Sequence, residues 1–289
     1  MGFMSWNLYT KIIDDYEHLM GQYTFKGRLG YCQMGEPFIL KDIATWVKYA
    51  IDRGINLYFN TNASLLSRAI LDSLLDIGFK GDFNISFHAI TKDIYENTMR
   101  LNYSKTMENI NYLLKVYPLD KVSINAVSYN WPAGEKEKLR TFWNEKGVRV
   151  TISQALSRSG LSSTIEKTQR KKIAGCRTER LLYEMVISFD GHVLLCCHDM
   201  AREVVLGNLN DSTISEIWNG ERFLAVFNKI YSGHDLPSDF ICKRCEESEP
   251  YWSLRRLVKH LMPTMILKQI RKRRNSDWVV TKRNSITRR

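Results

Sequence analysis

Short apolar runs alternate with amphipathic segments between residues 28 and 153, and this alternation constrains the possible folds more than any other feature of the sequence. The runs have the length of β-strands, while the segments between them have the length and the period of α-helices. Strands that alternate with helices in this way form a parallel α/β sheet or barrel. The predicted strands are 28–34, 56–60, 83–88, 122–128 and 148–153.

Helices are predicted between these strands, and glycines mark where three of them end. A glycine directly after a helix favours the left-handed backbone conformation that closes a helix C-terminus. Such glycines are Gly54, Gly78 and Gly147. The predicted helices are 42–53, 65–77, 104–117 and 135–146.

The series opens with a helix instead of a strand. Residues 7–20 have the pattern of an amphipathic helix, with apolar residues at Leu8, Ile12, Ile13, Tyr16, Leu19 and Met20. A parallel β/α unit normally starts with a strand, on which its helix then packs. Two interpretations are open: the reading frame is truncated or its start is misassigned, or the helix is a natural cap.

A second module follows a polar stretch that lacks helix or strand periodicity. This stretch, 157–172, contains Gly160 and is interpreted as a linker. Beyond it, apolar runs at 183–189 and 192–195 flank Asp190-Gly191, which is a strong signal for a β-hairpin. A helix is predicted from 212 to about 230. The predicted divisions are 1–160 for the α/β part, 161–175 for the linker, 176–250 for the second module and 251–289 for a tail.

The cysteines are concentrated in the second module. Six cysteines are present, and five of them lie between positions 176 and 245. Cys242-x-x-Cys245 places two thiolates where both can bind one metal centre from a tight turn, and Cys176 and Cys196 complete a set of four. Four thiolates fit either [4Fe–4S] or Zn²⁺. The residues alone leave three alternatives open: an iron–sulfur cluster, a zinc site, or thiols that bind no metal.

The motifs around these cysteines resemble the SPASM-type module that follows radical SAM barrels and binds an auxiliary cluster. The matching elements over residues 176–246 are Cys176, Gly191, Cys196, Leu206-Gly207-Asn208, Ile217-Trp218 and Cys242-x-x-Cys245. The longer, seven-cysteine version of the pattern is not matched. The resemblance therefore implies one auxiliary [4Fe–4S] cluster, with ligands Cys176, Cys196, Cys242 and Cys245.

The residues next to Cys196 are given other roles. Cys197 is interpreted as a packed thiol, and an exchange of roles between Cys196 and Cys197 remains an alternative. His198 and Asp199 are interpreted as local hydrogen-bonding groups instead of ligands.

Small or polar residues also occupy the C-terminal ends of the predicted strands, where parallel α/β barrels bind their ligands. Gly35 would let a ligand approach the backbone closely, and Glu36 is suited to accept a hydrogen bond from an ammonium group. Each of these residues is weak evidence when taken alone. The strand-end segments are Gly35-Glu36-Pro37, Asn60-Thr61-Asn62, Ser86-Phe87-His88, Asn125 and Gln154.

Together these segments resemble the barrel of radical SAM enzymes over roughly residues 3–160. Gly35-Glu36-Pro37 is similar to the GGEP motif that holds the methionine amino group of S-adenosylmethionine (SAM), with Met34 in place of the first glycine. Asn60-Thr61-Asn62 and Ser86-Phe87-His88 resemble the segments that belong to the third and fourth strands of that barrel. Residues 157–160 resemble the turn that follows a strand in this family. The resemblance implies a partial (β/α)6 barrel without its first strand and SAM as a possible cofactor. The implied cofactor-binding residues are Gly35, Glu36, Pro37, Asn60, Asn62, Ser86 and His88.

The motif on which catalysis depends in this family has no counterpart in the 289 residues. Radical SAM enzymes cleave SAM at a cluster held by CxxxCxxC after the first strand, whereas Cys32 is the only cysteine before position 176. Cys32 lies inside a predicted strand and is interpreted as a buried structural thiol. This sequence by itself is therefore not expected to perform radical chemistry. Gly2-Phe3-Met4-Ser5 resembles the segment that normally follows the motif, which favours a truncated reading frame.

The positive net charge belongs to the C-terminal tail. The formal net charge is +11, and residues 251–289 contain 12 Lys/Arg but only one acidic residue. The tail is predicted to be an amphipathic helix on the barrel followed by a disordered end. Contact with an anionic membrane surface is an alternative, and nucleic-acid binding is disfavoured because few aromatic residues accompany the charges. No apolar run reaches the ~18 residues of a membrane span and the start lacks a signal pattern, so a cytoplasmic location is expected.

Three functions are consistent with these observations. The first is a radical SAM/SPASM enzyme that modifies a peptide, a protein or a small molecule when its N-terminal cluster motif is present, with a reductant protein as possible partner. The second is a non-catalytic [4Fe–4S] scaffold that keeps a cofactor or peptide pocket. The third is a zinc-stabilised structural protein. Nothing in the sequence distinguishes the substrate classes.

Overall fold

A computed structural model describes residues 2–24, 27–31, 35–162, 164–166, 168–232, 236–251 and 281–282. The chain forms two compact units. We name residues 27–155 the sheet unit, and residues 1–26 together with 156–289 the cysteine unit. The first elements along the chain, helix α1 (Trp6–Gln22) and the two-residue strand β1 (Tyr23–Thr24), belong to the cysteine unit.

The sheet unit contains five parallel strands that lie side by side in chain order. The strands are β2 (Leu29–Tyr31), β3 (Leu57–Thr61), β4 (Asp82–Ser86), β5 (Val122–Ser128) and β6 (Arg149–Gln154). The predicted α/β class and the predicted series of strands are confirmed. Closure of this sheet into a partial barrel stays a prediction.

Helices connect these strands, as the alternating pattern predicted. They are α2 (Ile43–Ile51), α3 (Arg68–Asp76), α4 (Lys92–Met99), α5 (Tyr103–Val116) and α6 (Glu135–Glu145). All but α4 correspond to predicted helices. Helix α4 was not predicted. Tyr95 is its only buried side chain, so its sequence shows no apolar stripe. The three predicted helix-ending glycines have φ of 72°, 81° and 73°, which confirms their left-handed conformation.

The two faces of the sheet differ in chemistry. Alternate residues such as Phe59, Phe83 and Ile124 are fully buried on one face, where the Phe59 and Phe83 rings stack with centroids 5.6 Å apart. The positions between them include Asn60 and Asn84, which are exposed or half-buried. Because side chains alternate between faces along a strand, one face forms the apolar core and the other is polar.

The cysteine unit contains short antiparallel strands. Strand β7 (Ile173–Cys176) pairs with β11 (Ser248–Pro250). A three-stranded sheet has the order β10-β9-β8, formed by β8 (Val186–Ile187), β9 (His192–Leu194) and β10 (Val205–Asn208). The predicted hairpin at Asp190-Gly191 is confirmed by the pairing of β8 with β9.

Three details of this unit differ from prediction. Residues 180–183 form the short helix α7 (Arg180–Tyr183), so the first hairpin strand is shorter than 183–189. The helix predicted from 212 to 230 is two helices, α8 (Ile214–Trp218) and α9 (Glu221–Ser232), because the chain turns at Asn219-Gly220. Strand β10 contains Leu206-Gly207-Asn208, which the sequence identified as a motif but not as a strand.

Helix α1 packs within the cysteine unit. Leu8 and Ile12 lie in one apolar core with Ile173, Val193 and Ile217. Lys11 Nζ also donates a hydrogen bond to the carbonyl oxygen of Asn210 (2.8 Å). The apolar face of α1 is therefore covered by the second module, although the helix lies within the predicted α/β division 1–160. The division boundaries themselves stay a prediction.

Most of the basic tail lies outside the described residues, as do Cys32 and Met34. Of residues 252–289, only the two-residue strand β12 (Thr281–Lys282) is described, and it pairs antiparallel with β1. Among the helices that the structure describes, none has the length and hydropathy that crossing a bilayer requires.

Candidate functional site

Glu36 is held at one end of the sheet by three hydrogen bonds. Its Oε1 accepts from Thr61 Oγ1 (2.6 Å) and from the backbone N–H of Phe38 (3.3 Å). Its Oε2 accepts from the backbone N–H of Asn62 (2.8 Å). Because Thr61 is the last residue of β3, the carboxylate lies at the C-terminal end of that strand, where a ligand site was predicted.

Among the described residues, the hydrogen-bond donors to the carboxylate of Glu36 are all neutral groups. Burial raises its pKa above the ordinary value for glutamate, and the hydrogen bonds from Thr61, Asn62 and Phe38 act in the opposite direction. These donors stabilise the charged form without neutralising it. The carboxylate is therefore suited to bind a cation as an additional partner, and it fits the ammonium group of SAM.

The two neighbours of Glu36 in the predicted motif have different surroundings. Gly35 is exposed, and a Cβ built on it would meet no described atom within 4 Å. The predicted close approach of a ligand to Gly35 therefore has no steric counterpart and stays a prediction. Pro37 opens the 3₁₀ helix Pro37–Ile39, at a position where a missing N–H leaves no hydrogen bond unmade.

Asn60 belongs to a row of hydrogen-bonded polar side chains on the polar face of the sheet. Asn84 Nδ2 donates to Asn60 Oδ1 (3.0 Å), and Ser123 Oγ donates to Asn84 Oδ1 (2.8 Å). The three residues are in register on β3, β4 and β5. Only Asn60 was predicted. The alternation of polar with apolar residues along these strands is the signal that identifies the other two.

Asn62 shapes the turn after β3. Its Oδ1 accepts a hydrogen bond from the backbone N–H of Ser64 (2.9 Å), while its own N–H is donated to Glu36. Thr61 was part of the recognised tripeptide but was not among the predicted binding residues. In the structure Thr61 is buried and joins Glu36 directly to β3.

Ser86 and His88 lie at the end of β4. Ser86 is in register with Asn125 of β5, and Val127 N donates to His88 Nδ1 (3.3 Å). Burial lowers the pKa of His88, while a hydrogen bond with the backbone of Asn125 acts in the opposite direction. The ring is therefore neutral at pH 7, and the bond from Val127 assigns its proton to Nε2.

The four predicted ligand cysteines come from three segments of the cysteine unit. Cys176 is the last residue of β7, and Cys196 follows β9. Cys242 lies in the 3₁₀ helix Ile241–Arg244, and Cys245 is the C-cap of that helix. None of the five cysteines that the structure describes forms a disulfide.

Backbone pairing brings the first and last of these segments together. Cys176 lies opposite Ser248 in the pairing of β7 with β11. The N–H of Ser248 donates to the carbonyl of Cys245 (3.2 Å), and the N–H of Cys245 donates to that of Cys242 (3.4 Å). The strand pair and the helical turn thus fix Cys176 and Cys242-x-x-Cys245 with respect to each other.

The four thiols lie close enough to influence one another's ionisation. Burial raises the pKa of Cys196 to about 12, and charge on Cys197, Cys245 and Cys176 contributes in the same direction. The pKa of Cys242 is raised well above the ordinary value by burial and then by Cys196, Cys245 and Cys176. Thiolates that lie near one another repel each other, so a bound cation stabilises them. The donor set fits a metal centre with four sulfur ligands.

Cys197 has different neighbours. Burial raises its pKa, and the charges that act on it come from Arg180, Glu184 and Arg158. Arg180 lowers the Cys197 pKa, as expected for a guanidinium beside a thiol. The pKa of Cys196 is raised by charge on Cys197 and also by charge on two members of the predicted ligand set, Cys245 and Cys176.

His198 and Asp199 make hydrogen bonds, as predicted. His198 Nδ1 lies 3.6 Å from Cys245 Sγ, and burial lowers the pKa of His198 to about 4. The carboxylate of Asp199 accepts from the backbone N–H groups of Glu203 (2.8 Å) and Val204 (3.0 Å). Asp199 therefore fixes the turn that follows the cysteine pair.

A family model described as an iron–sulfur cluster-binding domain, SPASM, matches residues 176–246. The S-adenosyl-L-methionine-dependent 2-deoxy-scyllo-inosamine dehydrogenase of Niallia circulans is 24% identical over 202 residues, which cover 62% of this chain and 78% of the relative. Residues 176–246 form a SPASM domain, and the chain as a whole is similar to radical SAM proteins. All four predicted ligand cysteines lie within the matched SPASM residues.

Solved structures share the fold of this chain. BtrN in complex with AdoMet and 2-DOIA has a TM-score of 0.55 at 20% identity, over 85% of this chain and 81% of BtrN. Streptococcus suis SuiB bound to the precursor peptide SuiA has a TM-score of 0.58 at 16% identity, over 81% of this chain and 62% of SuiB. The protein anSMEcpe with bound AdoMet and a Cp18Cys peptide has a TM-score of 0.58 at 15% identity, over 85% and 79% of the two chains.

Proposed function

We propose that this protein is a radical SAM/SPASM enzyme that modifies a peptide, a protein or a small molecule when a CxxxCxxC cluster motif is present. Its SPASM domain holds one auxiliary [4Fe–4S] cluster. The observation that carries the proposal is the match of residues 176–246 to the iron–sulfur cluster-binding domain, which contains Cys176, Cys196, Cys242 and Cys245.

The ligand set that we propose for the cluster includes Cys196 and not Cys197. The pKa of Cys196 is raised by charge on Cys176 and Cys245, in addition to that on the adjacent Cys197, whereas neither Cys176 nor Cys245 is among the groups that shift the pKa of Cys197. Sulfur ligands in this number also suit zinc, so the metal content has to be measured.

We propose that SAM binds where the strands of the sheet unit end. Glu36 would accept hydrogen bonds from the ammonium group, since the donors that the structure describes for it are all neutral. Asn60, Asn62, Ser86 and His88 would supply further polar contacts. Gly35 and Pro37 would shape the backbone beside the amino acid part of SAM.

When bound, SAM reduced at a catalytic cluster supplies a carbon radical that removes a hydrogen atom from the substrate. The auxiliary cluster would bind substrate or carry electrons, tuned by burial and by hydrogen bonds to its sulfurs. A reductant protein is the proposed partner for electron supply. We also keep the contact of the basic tail with an anionic membrane surface and a cytoplasmic location as proposals.

Both substrate classes occur among the similar proteins. The Niallia circulans relative is named as a dehydrogenase of 2-deoxy-scyllo-inosamine, a small molecule. SuiB is described as bound to a precursor peptide. The proposal therefore includes both classes.

A second candidate is a non-catalytic [4Fe–4S] scaffold with a cofactor or peptide pocket. The observation that favours it is the absence of CxxxCxxC from the 289 residues. SAM cleavage distinguishes the two candidates when it is assayed with a CxxxCxxC motif present, because a scaffold binds a cluster but produces no 5′-deoxyadenosine.

The test begins with anaerobic purification and measurement of iron, sulfide and zinc. We expect about four iron and four sulfide ions per chain for one auxiliary cluster. Cys242→Ala should abolish the brown colour, while the control Cys32→Ala, outside the proposed ligand set, should keep it. A colourless protein loaded with zinc would refute the cluster and favour a zinc-stabilised structural protein. Dithionite and SAM are then added, and 5′-deoxyadenosine is measured by chromatography.

A further inference from the structure

His198 touches two of the four proposed cluster ligands. Its Nδ1 lies 3.6 Å from Cys245 Sγ, and its backbone N–H donates to Cys196 Sγ (3.4 Å). The side chain is only 4% exposed, so the ring has little freedom to turn away. A sulfur–nitrogen distance of this size is normal for a hydrogen bond to sulfur, because sulfur is a larger atom than oxygen.

We propose that His198 sets the reduction potential of the auxiliary cluster by donating the Nδ1–H hydrogen bond to the sulfur of Cys245. The inference rests on the proposed cluster and goes beyond it by naming the residue that tunes it. A metal-bound cysteine is a thiolate, which only accepts hydrogen bonds. The proton of the contact must therefore be carried by Nδ1 of the imidazole.

The direction of the effect follows from charge. A reduced cluster carries one more negative charge than an oxidised cluster, and hydrogen-bond donors aimed at its sulfurs stabilise that charge. The donor on Cys245 therefore raises the potential. Loss of the donor should shift the potential to more negative values and leave the number of iron ions unchanged, because His198 is a positioning residue and not a ligand in this proposal.

Glu246 is an alternative acceptor for the proton of the His198 imidazole, and the experiment must distinguish this arrangement from the bond to Cys245. Ligand atoms of His198, Cys245 and Glu246 all lie within 4.8 Å of one another. Glu246 Oε1 accepts from the backbone N–H of Ser157 (2.6 Å), while Oε2 is buried and has no hydrogen-bond partner among the described residues. If the imidazole proton were on Nε2 and directed to this carboxylate, Nδ1 would have no hydrogen to give to Cys245.

The choice of variants follows from the shape of the ring and its surroundings. The amide nitrogen of asparagine is two bonds from Cβ, as Nδ1 is, whereas that of glutamine is three bonds away, as Nε2 is. His198→Asn should therefore keep the donor, and His198→Gln should displace it. A cavity of about 140 Å³ borders His198, so a small replacement would admit water as a substitute donor. His198→Leu fills the space and offers no donor.

The experiment is a potentiometric titration of the full-length protein, monitored by electron paramagnetic resonance, after iron and sulfide have been measured. We expect a more negative midpoint potential for His198→Leu and His198→Gln, and a potential close to the unmodified protein for His198→Asn. His192→Leu is the matched control, because His192 lies on β9 of the same domain and pairs with Asp190 (3.2 Å). Its potential should not move.

Equal potentials for the unmodified protein and His198→Leu, with iron retained, would overturn the tuning role and leave the cluster proposal intact. Loss of iron in both the leucine and asparagine variants would also overturn it, because His198 would then be a ligand or a structural residue. If only the leucine variant loses iron, the potentials of the asparagine and glutamine variants are compared. Equal midpoint potentials for these two variants refute the proposal. A more negative midpoint potential for His198→Gln than for His198→Asn supports it. A zinc protein without sulfide would refute both proposals.

Discussion

Replacement of Glu135 should loosen the segment that follows His88. Glu135 is the first residue of α6 and is only 1% exposed. Its Oε1 accepts from the backbone N–H groups of Ile90 (2.7 Å) and Thr91 (2.9 Å), and its Oε2 accepts from Thr91 Oγ1 (2.6 Å). Thr91 is the N-cap of α4, so one buried carboxylate joins two helices to the end of the sheet.

The magnitude can be estimated from these three bonds. Glu135→Ala removes the acceptor for two backbone donors and one hydroxyl, and each buried donor left without a partner costs about 1–3 kcal/mol. Because Thr91 is exposed, water can satisfy part of this loss. We therefore expect a decrease of about 2–4 kcal/mol in the free energy of unfolding of the sheet unit. Glu135→Gln keeps one carbonyl acceptor and should cost about 1–2 kcal/mol.

Urea denaturation followed by circular dichroism measures the free energy, and hydrogen exchange with mass spectrometry locates the effect. Faster exchange is expected at Ile90, Thr91 and the first turn of α4. Glu137→Ala is the matched control, because Glu137 lies in the same first turn of α6 but is exposed. If Glu135→Ala and Glu137→Ala destabilise the protein equally, the reasoning from the buried carboxylate is wrong.

Four further outcomes are expected. Cys196→Ser should lose the iron of the SPASM domain and Cys197→Ser should keep it, as measured by iron analysis; the reverse result would exchange their proposed roles. Gly191→Ala should lower stability by about 1–3 kcal/mol in thermal unfolding, because its φ is +86° and a Cβ there would lie 2.6 Å from Asn210 Nδ2. Glu36→Gln should weaken SAM binding about tenfold in calorimetry, since the charge is lost. For the same reason, SAM binding should weaken as the pH falls through the raised pKa of Glu36, and pH-independent affinity would contradict this role.

The sheet unit could be predicted because its signals are local. Apolar runs of strand length, separated by helices that end in Gly54, Gly78 and Gly147, specify the parallel order directly. Helix α4 could not be predicted in this way, because Tyr95 alone anchors it and its N-terminus is held by Glu135, more than 40 residues away in the chain.

The residues of the candidate sites also differ in whether local sequence could predict them. Glu36 and the four cysteines are identified by residue type and spacing. Thr61 and Asn84 were not predicted as site residues, because their roles depend on hydrogen bonds between separate segments of the chain, which spacing does not reveal. His198 was assigned a hydrogen-bonding role from the sequence, but its contact with Cys245 needs two segments to meet across 47 positions.

The packing of α1 has a consequence for how the protein must be synthesised and folded. Leu8 and Ile12 share a core with residues that are translated about 160 to 230 positions later, such as Ile173 and Ile241. Contacts of such long range form slowly. During translation the apolar face of α1 stays uncovered until the residues that it packs against have been synthesised. Expression of residues 176–250 alone would leave the matching surface of the SPASM domain uncovered. A soluble fragment for spectroscopy should therefore include α1, supplied on the same chain or as a separate peptide.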